Sequence, residues 1–318
     1  MYITKEEKSM SLSIVRSILS SLNTTQAWMV SLIKIHNSKR NGTTYAARGI
    51  TLAPKGALIR VIADLSKVYT EGDSAHLNKY ISVKEYDGSA ESNRIYRIPS
   101  NSELISDEYS RLIQAISTPE MTGDPFDFAA TAYALKATLE IEGEEKNVVL
   151  FSLQNPICVL ENRFLYDGST FSEINKKVLN LRRNIDVIIL DDAVYLLTLN
   201  GEKLFNMERS YKAVCQKKTE DICQSGIISD AEAFQQIATR GHNPRRFVAF
   251  NSQRYASMKD ITKRKEMAAK FHLKLDDSGK IDTSSSDISE KLIKVLCNKG
   301  MVDPFEDVPV EVSAVSRW

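Results

Sequence analysis

Residues 185–199 read IDVIILDDAVYLLTL, two apolar runs separated by an acidic pair. Short apolar runs rich in Val, Ile and Leu and bounded by turn-forming residues are typical of strands covered on both faces. Aspartates favour turn geometry, so Asp191 and Asp192 mark the point where the chain reverses. The stretch therefore predicts two paired strands at the centre of a sheet.

The chain before this pair also has strand patterns. Residues 28–35 partly alternate between apolar and polar side chains, and Asn41-Gly42 is a strong hairpin signal. A further hairpin is predicted between residues 80 and 98, where two short alternating runs flank Asp87-Gly88. We therefore expect residues 1–118 to form a β-rich N-terminal lobe of antiparallel strands.

Turn-forming residues cluster at 119–127, which predicts a linker to a second part, residues 128–318. That part begins with a hairpin whose charged turn is predicted at 143–146. From residue 201 to about 271 the apolar period is helical. A helix at 288–298, closed by Gly300, and a last strand at 308–315 complete the chain. The class is α+β, with a mixed C-terminal lobe whose apolar central strands precede a helical section.

Composition is that of an ordinary globular protein. The chain has 318 residues, of which 42% are hydrophobic and 26% charged, and its net charge is +1. These values exclude a disordered tail, a collagen-like repeat and a disulfide miniprotein. Four scattered cysteines favour a reducing compartment, and no segment is apolar enough to cross a bilayer, so we expect a cytoplasmic protein.

Catalytic motifs are few. The sequence contains no P-loop, dinucleotide-binding, nucleophile-elbow or zincin motif. Asp127 followed by Glu144-x-Lys146 loosely resembles metal-dependent nucleases, in which carboxylates hold Mg²⁺. Because residues 143–146 are predicted to be an exposed turn rather than a buried strand, the nuclease stays an alternative. We predict no enzyme, no catalytic residue, no metal and no cofactor.

The small net charge conceals separate blocks of opposite sign. Residues 240–274 hold ten basic and two acidic residues, a net of +8, whereas 219–239 and 275–318 each carry a net of −4. If residues 258–271 are one helix, Lys259, Lys263 and Lys270 fall within about 40° of one another at 100° per residue. A stripe of ammonium groups suits contacts with phosphates, which give affinity without reading bases.

The block at 240–274 therefore predicts a sequence-independent interface with double-stranded DNA. A smaller basic cluster before residue 185 is open to two interpretations: it extends this interface, or it is simply part of the surface. Two alternatives remain: a solvated helix face, and an adaptor whose basic block docks a membrane partner or anionic lipid. The predicted DNA contacts are Arg240, Arg245, Arg246, Lys259, Lys263, Arg264, Lys265, Lys270 and Lys274, with Arg182 and Arg183 in the smaller cluster.

The apolar pair also carries a family resemblance. The run at 181–197, the following 204–208, the Arg245-Arg246 helix, the residues at 263–281 and the closing strand together resemble the bacterial DUF4868 family, which includes a component of the Kiwa antiphage defence system. The family domain would cover about 125–315. The resemblance implies a cytoplasmic effector that binds phage DNA and restrains its replication and late gene expression. It also implies a homodimer recruited to the inner membrane by a KwaA-like membrane protein.

Overall fold

The computed structural model describes residues 5–22, 27–38, 42–53, 56–166, 168–191, 193–303 and 308–311. It confirms the α+β class. The helices and strands, in chain order, are α1 (Lys5–Ser20), β1 (Met29–Ser38), β2 (Gly42–Ile50), α2 (Gly56–Thr70), β3 (Ser82–Glu85), β4 (Arg94–Pro99), α3 (Ser106–Ser117), β5 (Ala132–Ile141), β6 (Glu144–Ser152), β7 (Ile157–Tyr166), β8 (Phe171–Leu179), β9 (Val187–Leu190), β10 (Ala193–Leu196), α4 (Gly201–Leu204), α5 (Met207–Gln224), α6 (Ala231–Ala238), α7 (Asn243–Arg246), α8 (Ser252–Lys259), α9 (Ile261–Lys270), α10 (Ser286–Leu296), β11 (Gly300–Val302) and β12 (Pro309–Glu311).

Contacts divide the chain into two compact units. The first comprises Met1–Glu85 with Ser92–Asn206, and the second comprises Tyr86–Glu91 with Met207–Trp318. This division falls after Asn206, whereas the sequence placed a linker at 119–127.

The first unit contains a sheet of eight strands in the order β2-β1-β5-β6-β9-β10-β4-β3. The apolar pair at its centre is as predicted: β9 and β10 pair antiparallel, with Leu190 opposite Ala193, and all their residues are buried. Asp192, the second residue of the acidic turn, lies outside the described residues.

The predicted hairpin between residues 80 and 98 is wrong, because β3 and β4 pair in parallel. Residues Tyr86–Glu91 between them belong to the second unit, so the chain leaves the sheet and returns in the same direction. Alternation identifies a strand but not the direction of its partner. The N-terminal part also contains α1, α2 and α3, and Ile18 and Leu65 of the first two helices lie in the core of this unit.

Residues 119–127 are held against β2. Gly49 N–H donates to the carbonyl of Glu120 at 2.9 Å, and Glu120 N–H donates to that of Ala47 at 2.8 Å. The Arg48 guanidinium binds the Glu120 carboxylate at 2.9 Å and the carbonyl of Asp124 at 2.7 Å. Since β5 then pairs with β1, strands from both sides of this segment share one sheet.

The turn between β5 and β6 is shorter than predicted. Glu142 and Gly143 have φ values of +55° and +82°, the positive pair that a two-residue hairpin turn requires. Glu144 and Lys146 therefore lie on a strand rather than in a turn. A hairpin of β7 and β8, which the sequence did not predict, forms a separate two-stranded sheet.

The second unit is helical, as the period after residue 200 predicted. Phe234, Phe247 and Leu292 are fully or almost fully buried in its core. Helix α10 is followed by Asn298 in a left-handed conformation, φ +56°, so Asn298 rather than Gly300 ends the helix. The last predicted strand is observed over Pro309–Glu311, and residues 312–315 lie outside the described residues.

Candidate nucleic-acid interface

The basic block folds as two short helices rather than one. Helix α8 ends at Lys259 and α9 begins at Ile261, because Asp260 between them has an extended conformation, φ −76° and ψ 126°. The Asp260 carboxylate accepts a hydrogen bond from the backbone N–H of Lys263 at 3.0 Å and thereby caps α9. That hydrogen bond lowers the pKa of Asp260. The single stripe of Lys259, Lys263 and Lys270 is therefore broken, since Lys259 lies on another helix.

Arg264, a predicted DNA contact, is buried, with 8% of its surface exposed. Its guanidinium donates to the carbonyls of Met258 at 2.7 Å, Gly279 at 2.9 Å and Lys259 at 3.3 Å. These bonds tie the corner between α8 and α9 to the turn at Gly279. In this structure Arg264 holds the corner and is not available to a phosphate.

Arg245 is also committed to the protein interior. Its Nε donates to the hydroxyl of Tyr86 at 3.2 Å, its Nη2 donates to the carbonyl of Ser89 at 3.1 Å, and its guanidinium lies 5.9 Å from the ring centres of Tyr86 and Tyr211. The hydroxyls of Tyr86 and Tyr211 are themselves hydrogen-bonded. Arg245 therefore fastens residues 86–91 into the second unit.

Arg246 is paired within α7 and with α10. Its Nη1 donates to Glu290 at 3.1 Å and to the Asn243 side chain at 2.6 Å. The side chain of Asn243 in turn donates to Glu290 at 2.9 Å and to the carbonyl of Ile237 at 2.8 Å. This closed set of polar contacts leaves Arg246 with a structural role.

The lysines of the block, by contrast, face solvent. Lys263 and Lys270 lie on the same side of α9, about 20° apart at 100° per residue. Met258 and Ala268 are buried, whereas Ile261 is 49% exposed. Lys259, Lys263, Lys265 and Lys270 are all exposed, and none of them forms an ion pair with another described residue. These four ammonium groups are accessible to a phosphate and are not held by a carboxylate of the described residues.

The ends of the block differ from each other. Arg240 is exposed just after α6. Lys274 is exposed as well, but its ammonium group pairs with Asp282 at 3.2 Å. A phosphate would therefore have to compete with a carboxylate at Lys274 but not at the four lysines.

Arg182 and Arg183 belong to the first unit, just before β9. Arg183 pairs with Asp64 of α2 at 3.1 Å, and the carbonyl of Arg182 accepts a hydrogen bond from Tyr133. Both side chains are exposed. The structure therefore places the smaller cluster and the main block in different units.

The residues of the nuclease alternative do not form a recognisable metal site. Lys146 pairs with Glu144 at 3.1 Å and with Asp191 at 3.7 Å, and its hydrogen bond to Glu144 raises the pKa of Lys146. Asp127 lies in a short 3₁₀ helix, Pro125–Phe128. Across the described part of the chain, no three His, Cys, Asp or Glu side chains are grouped so that they could hold an ion.

Sequence reasoning missed the role of two aromatic residues. Phe250 and Tyr255 are partly buried and pack against the core of the second unit. Each ring also lies beneath a lysine: Lys218 Nζ is 5.3 Å from the centre of Phe250, and Lys259 Nζ is 4.8 Å from that of Tyr255. The spacing of four residues between Tyr255 and Lys259, which joins neighbours on a helix, could have indicated this contact.

A family model described as "Kiwa protein KwaB-like" matches residues 137–302. The chain belongs to the KwaB-like family. The match confirms the resemblance seen in the sequence and places this KwaB-like chain among the components of Kiwa antiphage defence. It runs from β5 to β11 and includes all the predicted DNA contacts. No curated protein and no solved structure matches the chain. None of the helices in the described ranges has the length and apolarity that a bilayer span requires.

Proposed function

We propose that this KwaB-like chain binds double-stranded phage DNA without sequence specificity, through contacts between exposed lysines and phosphates. The observation that carries the proposal is the set of Lys259, Lys263, Lys265 and Lys270, which are exposed on a corner braced by Arg264. Ammonium groups that have no carboxylate partner attract a polyanion without first breaking an ion pair. Arg240 extends the footprint, while Arg245, Arg246 and Arg264 support it from within.

Within Kiwa defence, such binding would restrain phage DNA replication and late gene expression without a catalytic step. We further propose that the chain acts as a homodimer and that a KwaA-like protein recruits it to the inner membrane. These proposals rest on the family resemblance. Copurification with a KwaA-like partner, followed by measurement of the mass of the complex, tests both: a monomeric chain that never copurifies would contradict them.

The DNA proposal is tested by fluorescence anisotropy with duplexes of unrelated sequence over a range of salt concentrations. Four phosphate contacts predict a slope of log affinity against log salt of about −3.6. Replacing Lys263, Lys265 and Lys270 by Ala should lower the magnitude of that slope by about 2.7 for every sequence. The control replaces Lys34, Lys67 and Lys203, three exposed lysines of the first unit, and should leave the slope unchanged.

Two results would overturn the proposal. A slope near zero for the native chain would remove the electrostatic basis of binding. Equal losses in the two triple variants would show that net charge, rather than the α8–α9 corner, determines affinity. Flotation with anionic vesicles tests the adaptor alternative. A chain that binds vesicles but not duplexes would support lipid, rather than DNA, as the ligand of these lysines.

A further inference from the structure

Four side chains in the second unit form a connected row, here called the lysine–aromatic row: Lys218, Phe250, Tyr255 and Lys259. Lys218 Nζ lies 5.3 Å from the centre of the Phe250 ring, and the Phe250 and Tyr255 ring centres are 5.5 Å apart with a 56° tilt. Lys259 Nζ is 4.8 Å from the centre of the Tyr255 ring. The row thus joins α5, which carries Lys218, to the end of α8.

The two rings are fixed by the rest of the unit. Phe250 packs against the buried core and stacks on Phe247 with ring centres 6.2 Å apart. The hydroxyl of Tyr255 donates to the carbonyl of Asp221 on α5 at 2.8 Å. Asn251 accepts from the backbone N–H of Arg254 at 2.9 Å and caps the start of α8. The rings therefore offer defined platforms for the lysine side chains above them.

A lysine that lies across a ring has lost part of its rotamer freedom before any ligand arrives. The attraction of an ammonium group to a ring leaves the N–H donors that point away from the ring available to phosphate oxygens. Neither Lys218 nor Lys259 forms an ion pair with another described residue. The row therefore presents two partly ordered cations on two different helices.

We propose that the lysine–aromatic row is a contact strip for a nucleic-acid backbone that shares Lys259 with the α8–α9 corner: Lys218 and Lys259 bind phosphates, and Phe250 and Tyr255 position the two lysines. This rests on the proposed DNA binding and extends the footprint from the α8–α9 corner onto α5. The rings are positioning residues rather than platforms for bases, because a lysine lies over each ring and Phe250 also stacks on Phe247. The strip should therefore serve duplex and single strand alike.

The first test measures the salt dependence of binding for Lys218→Ala, with Lys217→Ala as the matched control. Both lysines lie on α5, but only Lys218 lies over a ring in the structure. We expect Lys218→Ala to lower the magnitude of the duplex slope by about 0.9 and the single-strand slope by about 0.7. Lys217→Ala should change both slopes by less than half as much. Equal changes in the two variants would overturn the proposal.

The second test separates positioning from base stacking with Tyr255→Leu and Tyr255→Phe. The Leu variant keeps both charges and removes the ring, so affinity should fall several-fold for duplex and single strand with unchanged salt slopes. The Phe variant keeps the ring and should restore affinity. A loss confined to single strands would overturn the positioning role. Circular dichroism and melting temperatures show whether each variant is folded.

The two proposals fail in different ways. If the native chain shows no salt-dependent binding, DNA binding itself fails. If the triple variant at Lys263, Lys265 and Lys270 weakens binding while Lys218→Ala does not, only the lysine–aromatic row fails.

Discussion

Arg264 donates a hydrogen bond of 2.9 Å to the carbonyl of Gly279, so a cation from the middle of a basic run braces a turn 15 residues further along. Its other two bonds reach the last residues of α8. The exposed lysines on either side therefore depend on a buried arginine for their placement.

Replacing Arg264 by Ala should lower the free energy of unfolding by about 2 to 4 kcal/mol, because buried carbonyls lose their donors. Arg264→Lys should recover only part of this loss, since one ammonium group cannot reproduce the planar fork of a guanidinium. Chemical denaturation measures both variants. A stable Arg264→Ala protein with weaker DNA binding would contradict the bracing role.

The sequence predicted β9 and β10 well because burial on both faces leaves an unbroken apolar run that needs no tertiary information. Counting charges, in contrast, could not distinguish Lys263 from Arg264. Lys263 is exposed, whereas Arg264 is buried, with only 8% of its surface exposed. Burial of a cation depends on carbonyls such as that of Gly279, which only the fold brings near.

Helix boundaries inside the basic block were unpredictable for a related reason. Asp260 could either continue α8 or cap the next helix. In the structure its carboxylate accepts a hydrogen bond from the backbone N–H of Lys263 and caps α9. The parallel pairing of β3 with β4 could not be predicted from the sequence either. It depends on residues 86–91 belonging to the second unit, which local patterns do not show.

Gly88 should tolerate alanine far less well than Gly72. Both have left-handed φ values, +77° and +78°, so both variants carry the same backbone strain. A Cβ on Gly88 would lie 2.4 Å from the carbonyl oxygen of Arg245, whereas Gly72 has nothing within 4 Å. Gly88→Ala should therefore cost about 1 to 3 kcal/mol more than Gly72→Ala in urea denaturation. Similar losses of unfolding free energy in the two variants would mean that residues 86–91 can move away from Arg245 at little cost.

Stability should depend on pH through the Asp260 cap. The pKa of Asp260 is lowered in the folded state. The ionised cap therefore stabilises the fold at pH values above the unfolded pKa, and this stabilisation is lost as the pH falls through the folded pKa. Asp260→Ala should have a lower melting temperature than the native chain at neutral pH, and this difference should shrink in acid. Asp260→Asn, which can still cap but does not titrate, serves as the control. A difference that stays constant with pH would contradict this account.

We expect no cleavage when the protein is incubated with supercoiled plasmid and Mg²⁺ or Mn²⁺, because no three His, Cys, Asp or Glu side chains of the described residues are grouped to hold an ion. Gel electrophoresis of the plasmid provides the measurement. Cleavage that disappears in both Glu144→Ala and Lys146→Ala would restore the nuclease alternative.

The six residues Tyr86–Glu91 have a practical consequence for dissecting the molecule. A fragment that begins at Met207 would lack them, and so would the family region at 137–302. Arg245 would lose Tyr86 and Ser89, and the buried Lys299 would lose Ser89 and Asp87. The second unit therefore cannot be isolated by a single truncation. A fragment that keeps these contacts would need residues 86–91 as a separate peptide or through circular permutation.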